Sequence, residues 1–282
     1  AAALSFGEET VIEPYTMNDD IRATASVMEA AGAEIEFTDD FIRIRGIETV
    51  KKNFLADCRE SGSTLRFLLP VMAALGADCS FTGQGRLPQR PLTPLVEQMK
   101  NHGVAFSDEL LPFNIKNALL CGEYTFPGNI SSQYISGLLF ALPLLEGDSN
   151  IRLTSSLESA PYVDMTINVL TQFGIRIETT ETGFTIPGKQ VYKAPERYIV
   201  EGDWSNACFF LAADDPPDAG EWGGDILHDI FHPLLMLDFQ FLVRKMESLA
   251  AQFRKAQSVT FQNVILQRNG LAGAELFQFK EK

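Results

Sequence analysis

The sequence predicts an α/β (α+β) fold built from threefold repeated βαβαββ units, with buried helices inside and sheets outside, an inside-out α/β barrel. Three observations carry this. An amphipathic helix, a glycine and two short strands recur three times; apolar helices separate the copies; and those helices are hydrophobic nearly all round. The amphipathic copies are DIRATASVMEAAGAEIEFTDDFIRIRG (20–46), PLVEQMKNHGVAFSDELLPFNIKN (94–117) and MTINVLTQFGIRIETTETGFTIPG (165–188). Their helix-ending glycines, Gly32, Gly103 and Gly174, stand 71 residues apart each time. Glycine suits that position because a helix commonly closes on a left-handed residue, where a Cβ is penalised. The alternation that follows, as in Ala33-Glu34-Ile35-Glu36-Phe37, marks a half-buried strand.

Between these copies lies a polar turn opening an apolar helix that ends in a glycine and a strand. SGSTLRFLLPVMAALGADCSFTG (61–83) and ISSQYISGLLFALPLLEGDSNIRLT (130–154) are the two full versions. AAALSFGEETVIEP (1–14) reads as the end of such a helix with its strand, and GDWSNACFFLAA (202–213) as a further start. The repeats therefore organise residues 1–213. Residues 214–220, rich in Asp, Pro and Gly, read as a linker, and 221–282 as a tail of unassigned fold. Within the tail, Phe239, Leu242, Met246, Leu249 and Phe253 alternate at three and four residues, which predicts an amphipathic helix over 239–256. That seam either packs on this chain or pairs with a partner; a monomer is the expectation.

Composition excludes several classes. The formal charge is −14, against nucleic-acid binding, which needs clustered Lys and Arg. An anionic ligand must then meet a local positive pocket, which an acidic surface permits because fields focus in clefts. The longest apolar run, near 138–145, falls far short of the roughly 20 residues that cross a bilayer. Cys58, Cys79, Cys121 and Cys208 are scattered without a CxxC pair, which suggests reduced, buried thiols and a cytoplasmic setting. In the tail, Asp225, His228, Asp229 and His232 lack the spacing of a known metal motif, so no metal is expected; Gly83 and Gly85 form no dinucleotide fingerprint.

Chemistry gathers where the apolar helices begin. Ser61-Gly62-Ser63-Thr64 with Arg66, and Ser131-Ser132-Gln133, put hydroxyls and a guanidinium beside unpaired helix N–H groups, an arrangement suited to phosphate or carboxylate. Taken singly, each residue has a plainer role. Ser131 and Ser63 read as helix caps, Arg66 and Arg90 as surface ion-pair residues, and Tyr162 as a core aromatic.

Five segments in fixed order change that weighing: ESGSTLRF (60–67), GRLPQRPL (85–92), NISSQYISGLL (129–139), ESAPYVDMT (158–166) and EGDWSNACFFLAA (201–213). Together they resemble 5-enolpyruvylshikimate-3-phosphate synthases, across nearly all of residues 1–213. The resemblance implies an enolpyruvyl-transferase-like domain that binds shikimate 3-phosphate. By it, Ser131, Ser132, Gln133 and Ser159 contact that substrate and Tyr162 stacks nearby, while Gly62, Arg66, Arg90 and Gln133 line the phosphoenolpyruvate site. It implies no metal and no cofactor.

The implied reaction adds the shikimate 5-hydroxyl to C2 of phosphoenolpyruvate with protonation of C3, then expels phosphate. The family's acid and base carboxylates belong to a second domain, for which nothing after Ala213 is a match, so no catalytic residue is expected in this chain. The family's opening Lys, Ser and Arg motif also has no counterpart, and Glu60 stands where Asn is frequent. The expectation is an incomplete half that binds shikimate 3-phosphate weakly and turns nothing over. Two rivals are a non-catalytic ligand-binding or interaction module and a UDP-N-acetylglucosamine enolpyruvyl transferase. The latter's Cys loop is missing, since Leu87-Pro88-Gln89 occupy its place.

Overall fold

The computed structural model describes residues 1–202, of which Ala1–Glu201 form one compact unit. The domain boundary expected at 213, the linker 214–220, the helix expected over 239–256, Cys208 and the Asp225, His228, Asp229, His232 group lie outside the described residues.

A 3-10 turn (Ala2–Leu4) opens the chain, followed by β1 (Glu9–Glu13), α1 (Asp19–Ala31) and the hairpin β2 (Glu34–Phe37) and β3 (Ile42–Arg45). The next repeat runs β4 (Phe54–Asp57), α2 (Gly62–Ala74), β5 (Cys79–Thr82), α3 (Thr93–Asn101), β6 (Ala105–Phe106) and β7 (Phe113–Lys116). The third runs β8 (Glu123–Phe126), α4 (Ser132–Ala141), β9 (Ser149–Leu153), α5 (Ala160–Gln172), β10 (Glu178–Thr180) and β11 (Gly183–Ile186), and β12 (Arg197–Ile199) comes last.

These strands make three four-stranded sheets of identical pattern, ordered β12-β1-β3-β2, β4-β5-β7-β6 and β8-β9-β11-β10. In each, the first two strands are parallel and the remaining neighbours antiparallel. The threefold repeat is therefore real. The sheets stay separate: among the described residues no barrel closes. In two sheets a buried helix, α2 or α4, joins the parallel pair, as a parallel connection requires. In the third, β12 reaches β1 from the far end of the domain, with Val11 opposite Arg197.

The expected division between helices also holds. No residue of α2 or α4 is exposed, while α1, α3 and α5 each show one wet face. Each amphipathic helix ends on its glycine, with φ of 123° at Gly32, 93° at Gly103 and 79° at Gly174. The core spans all three repeats, from Val27 through Leu65, Leu69 and Met72 to Leu138 and Leu170.

At the centre, α2 and α4 cross closely. Pro70 lies inside α2 and has no N–H to offer the carbonyl of Arg66 one turn back. Gly137 of α4 fills that place: a Cβ there would collide with the Arg66 oxygen and come within 3.1 Å of Pro70 Cγ. Hydroxyl pairs tie the neighbours. Thr24 meets Thr64 at 2.7 Å between α1 and α2, and Ser136 meets Thr166 at 2.7 Å between α4 and α5.

Cysteine placement is mixed. Cys58 and Cys79 are buried as expected, but Cys121 is exposed, because it lies in the connection before β8 rather than in a strand or helix. Burial pushes the thiols of Cys58 and Cys79 up to about 12. At pH 8 a thiol reagent should therefore modify Cys121 at once and reach Cys58 and Cys79 only after denaturation, read by peptide mass spectrometry. Leu69→Ala, at a wholly buried position, should lower the unfolding free energy by about 2–5 kcal/mol in urea titration. Leu120→Ala, where the side chain is 58% exposed, should change it by less than about 0.5 kcal/mol.

Candidate functional site

The helix pairings bring five N-termini to one end of the unit. Thr64, in the first turn of α2, bonds Thr24 and reaches the Asp20 carbonyl of α1 at 3.4 Å. Gln133, in the first turn of α4, meets Arg66 of α2. Tyr134 Oη donates to the Pro91 carbonyl just before α3, at 2.6 Å. Glu158 N–H, just before α5, donates to the Gly128 carbonyl just before α4, at 3.0 Å. Each N-terminus carries about half a positive elementary charge and free N–H groups, so this end favours anions whatever the net charge elsewhere.

Side chains sharpen it. Arg66 Nη1 donates to Gln133 Oε1 at 2.6 Å, and its guanidinium lies over the Tyr134 ring, 5.5 Å from the centroid. Its Nε is buried with no hydrogen-bond partner among the described residues, leaving a strong donor unspent. Arg90 follows the 3-10 turn Leu87–Gln89 and is exposed, yet its guanidinium comes back to α2. A Cβ on Gly62 would sit 2.8 Å from Arg90 Nη1 and 3.3 Å from Arg66 Nη1. Two guanidinium groups thus flank the bare backbone at the start of α2, and neither forms an ion pair among the described residues. Among the described residues the plainer reading of both as ion-pair residues finds no carboxylate partner.

The serines divide by role. Ser61, not Ser63, caps α2, accepting from Thr64 N–H at 3.2 Å and from Thr64 Oγ1 at 2.8 Å. Ser63 lies one turn position further on, because the chain becomes helical at Gly62. Ser131 and Ser159 hold the cap positions of α4 and α5 but make no side-chain capping bond, so their hydroxyls stay available. Ser132 is the first residue of α4, with Gln133 beside it. Tyr162, in the first turn of α5, is 51% exposed and so not a core aromatic.

Gly62, Arg66, Arg90 and Gln133 form one contact group, and Ser131 and Ser132 share a turn with Gln133. Ser159 and Tyr162 stand at the same end through the Glu158 to Gly128 bond, without a direct bond to the arginines. Sequence reasoning missed Tyr134, which follows Gln133 directly and underlies Arg66. It also missed the seat of Glu60: a Cβ on Gly85 would fall 2.5 Å from the Glu60 carboxyl carbon. Among the described residues no group of three or more His, Cys, Asp or Glu could hold a metal ion. A shallow depression among Glu9, Glu34, Glu36, Arg43 and Arg45 on the first sheet is occupied by its own ion pairs, Arg43 to Glu36 at 2.5 Å among them.

Residues 1–214 match the family model of EPSP synthase (3-phosphoshikimate 1-carboxyvinyltransferase). A 3-phosphoshikimate 1-carboxyvinyltransferase of Clostridium botulinum is 45% identical over 212 residues, covering 72% of this chain and 49% of the relative. One from Clostridium acetobutylicum is 44% identical over 220 residues, covering 75% and 51%. The solved EPSP synthase of Acinetobacter baumannii shares the fold with a TM-score of 0.64 at 22% identity, over 74% of this chain and 48% of that one. The chain spans about half the length of the curated relatives it matches. With the five motifs and the three like sheets all falling inside the matched residues 1–214, the chain belongs to the EPSP synthase family.

Proposed function

We propose that this chain supplies the shikimate-3-phosphate-binding half of a cleft for enolpyruvyl transfer, and that its residues hold and orient both substrates. The observation that carries the reading is the convergence of Gly62, Arg66, Arg90 and Gln133 at helix N-termini, beside the uncapped hydroxyls of Ser131 and Ser159.

In this proposal, Ser131, Ser132 and Ser159 donate to the 3-phosphate of shikimate 3-phosphate, which also takes N–H groups and dipole from α4 and α5. Tyr162 lies against the carbocycle. Gln133 orients the same substrate while its Oε1 fixes Arg66. Arg90 and Arg66 grip the phosphate or carboxylate of phosphoenolpyruvate across Gly62, where a Cβ would press on both guanidinium groups. The shikimate 5-hydroxyl then forms a C–O bond to C2; its proton is lost to a base as C3 gains one from an acid. In the second step C3 gives up a proton, the double bond returns and the C2–O bond to phosphate breaks. Residues 1–202 contribute alignment and charge stabilisation to these steps. The proton-transfer carboxylates lie elsewhere in this proposal, so the chain by itself binds without turnover.

Isothermal titration should show saturable binding of shikimate 3-phosphate, weakened by roughly 1–3 kcal/mol in Ser132→Ala, the loss expected for a hydrogen bond to a charged group. Absence of heat at millimolar ligand from a folded chain would sink the reading. Gly62→Ala should separate the two substrates. The added methyl would stand 2.8 Å from Arg90 Nη1 and push the guanidinium aside. Phosphoenolpyruvate affinity, measured with shikimate 3-phosphate present, should fall by roughly tenfold or more while shikimate 3-phosphate affinity alone stays within about twofold.

A further inference from the structure

Three consecutive contacts join the segment entering α2 to the turn that carries Arg90. The Arg59 carbonyl accepts from Gln84 N–H at 2.6 Å. The Glu60 carboxylate lies flat on Gly85, where a Cβ would fall 2.5 Å from its carbon and 2.8 Å from Oε2. Gly62 then faces Arg90 Nη1. Gly85 has a left-handed φ of 57°, which glycine adopts freely, and a side chain there would have to displace the Glu60 carboxylate.

Beyond Gly85 the turn has little slack. Leu87 N–H donates to the Gln84 carbonyl at 3.0 Å and Arg90 N–H to the Leu87 carbonyl at 3.1 Å. Leu87 is buried, which anchors the middle of the turn. Gly85 and Arg90 are therefore joined through one short, hydrogen-bonded turn. The other end is fixed as well, because Arg59 is held at φ 49° with its N–H donating to Asp57 Oδ1 at 2.9 Å.

We propose that Glu60 is a positioning residue, whose carboxylate, seated on Gly85, holds the 84–90 turn in the placement that aims Arg90 across Gly62. The consequence for substrate rests on the reading that Arg90 meets phosphoenolpyruvate; the contact itself does not. A negative charge close to two guanidinium groups weakens an anion site. The length of the side chain, which reaches Gly85, accounts for a long residue there; its charge does not.

The test separates reach from charge. Glu60→Gln keeps the reach and removes the charge, whereas Glu60→Ala removes both. The Arg90 Nε–H resonance in proton–nitrogen NMR, assigned with Arg90→Lys, reports the order of the guanidinium without any ligand. It should survive in Glu60→Gln and broaden or shift in Glu60→Ala. Phosphoenolpyruvate affinity with shikimate 3-phosphate present should be retained or improved in Glu60→Gln and fall roughly tenfold in Glu60→Ala. Gly85→Ala, which also strains a left-handed φ, should lower that affinity at least as much as Glu60→Ala, and adding Glu60→Ala to it should cost little more. If Gly85→Ala does not fold, the two Glu60 variants decide alone. An Arg90 resonance unmoved in Glu60→Ala, or affinity raised equally by Gln and Ala, overturns the proposal. Should the wild-type chain bind no phosphoenolpyruvate, the substrate reading of Arg90 fails, and the resonance alone still decides whether Glu60 positions it.

Discussion

A proline inside a buried helix removes a hydrogen bond and costs about 3 kcal/mol in isolation, yet Pro70 sits inside α2, a helix with no exposed residue. Its place is explained by Gly137. The carbonyl that Pro70 leaves without its usual donor is that of Arg66, and the bare Cα of Gly137 packs on it. The two central helices approach more closely than side chains would allow elsewhere. The site follows from this, because Gln133 lies one turn before Gly137 and Arg66 one turn before Pro70. Their 2.6 Å bond is set by the crossing of two backbones.

The same crossing resolves an apparent conflict of charge. With a net −14, the chain as a whole repels phosphate esters. The attraction comes from partial charges of the backbone, gathered because the repeat runs every helix in the same sense relative to its strands. Surface carboxylates are screened over about 8–10 Å, whereas N–H groups at the helix starts act at contact. Two acidic residues at this end are turned onto the backbone, Glu60 onto Gly85 and Asp57 onto the Arg59 N–H.

Much of this was legible in the sequence because it depends on period and spacing. The 71-residue recurrence of Gly32, Gly103 and Gly174 reflects a local rule for ending helices, and it led directly to three like sheets. The gathering of Gly62, Arg66, Arg90 and Gln133 was readable only through the resemblance, since the contact joins residues 67 apart in sequence. What escaped depended on the phasing of a helix start or on distant pairing. Ser63 looked like the cap of α2, but the helix starts two residues earlier and Ser61 takes the role. Cys121 looked like a buried thiol, but it falls in a connection. The parallel pairing of β12 with β1 has no local signature at all.

That last pairing bears on how the molecule acquires its structure as it is made. Two sheets draw their strands from contiguous stretches, residues 54–116 and 123–186, so each can assemble once its own segment has emerged from the ribosome. The remaining sheet waits for residues 197–199 to return to β1, with Thr10 Oγ1 donating to the Pro195 carbonyl and Ala194 N–H to Glu8. Closing a loop of nearly the whole domain is the slow kind of event in folding, and until then β1 presents an unpaired edge to other nascent chains. In a polysome, exposure of that edge would last for the time needed to translate the two repeats between.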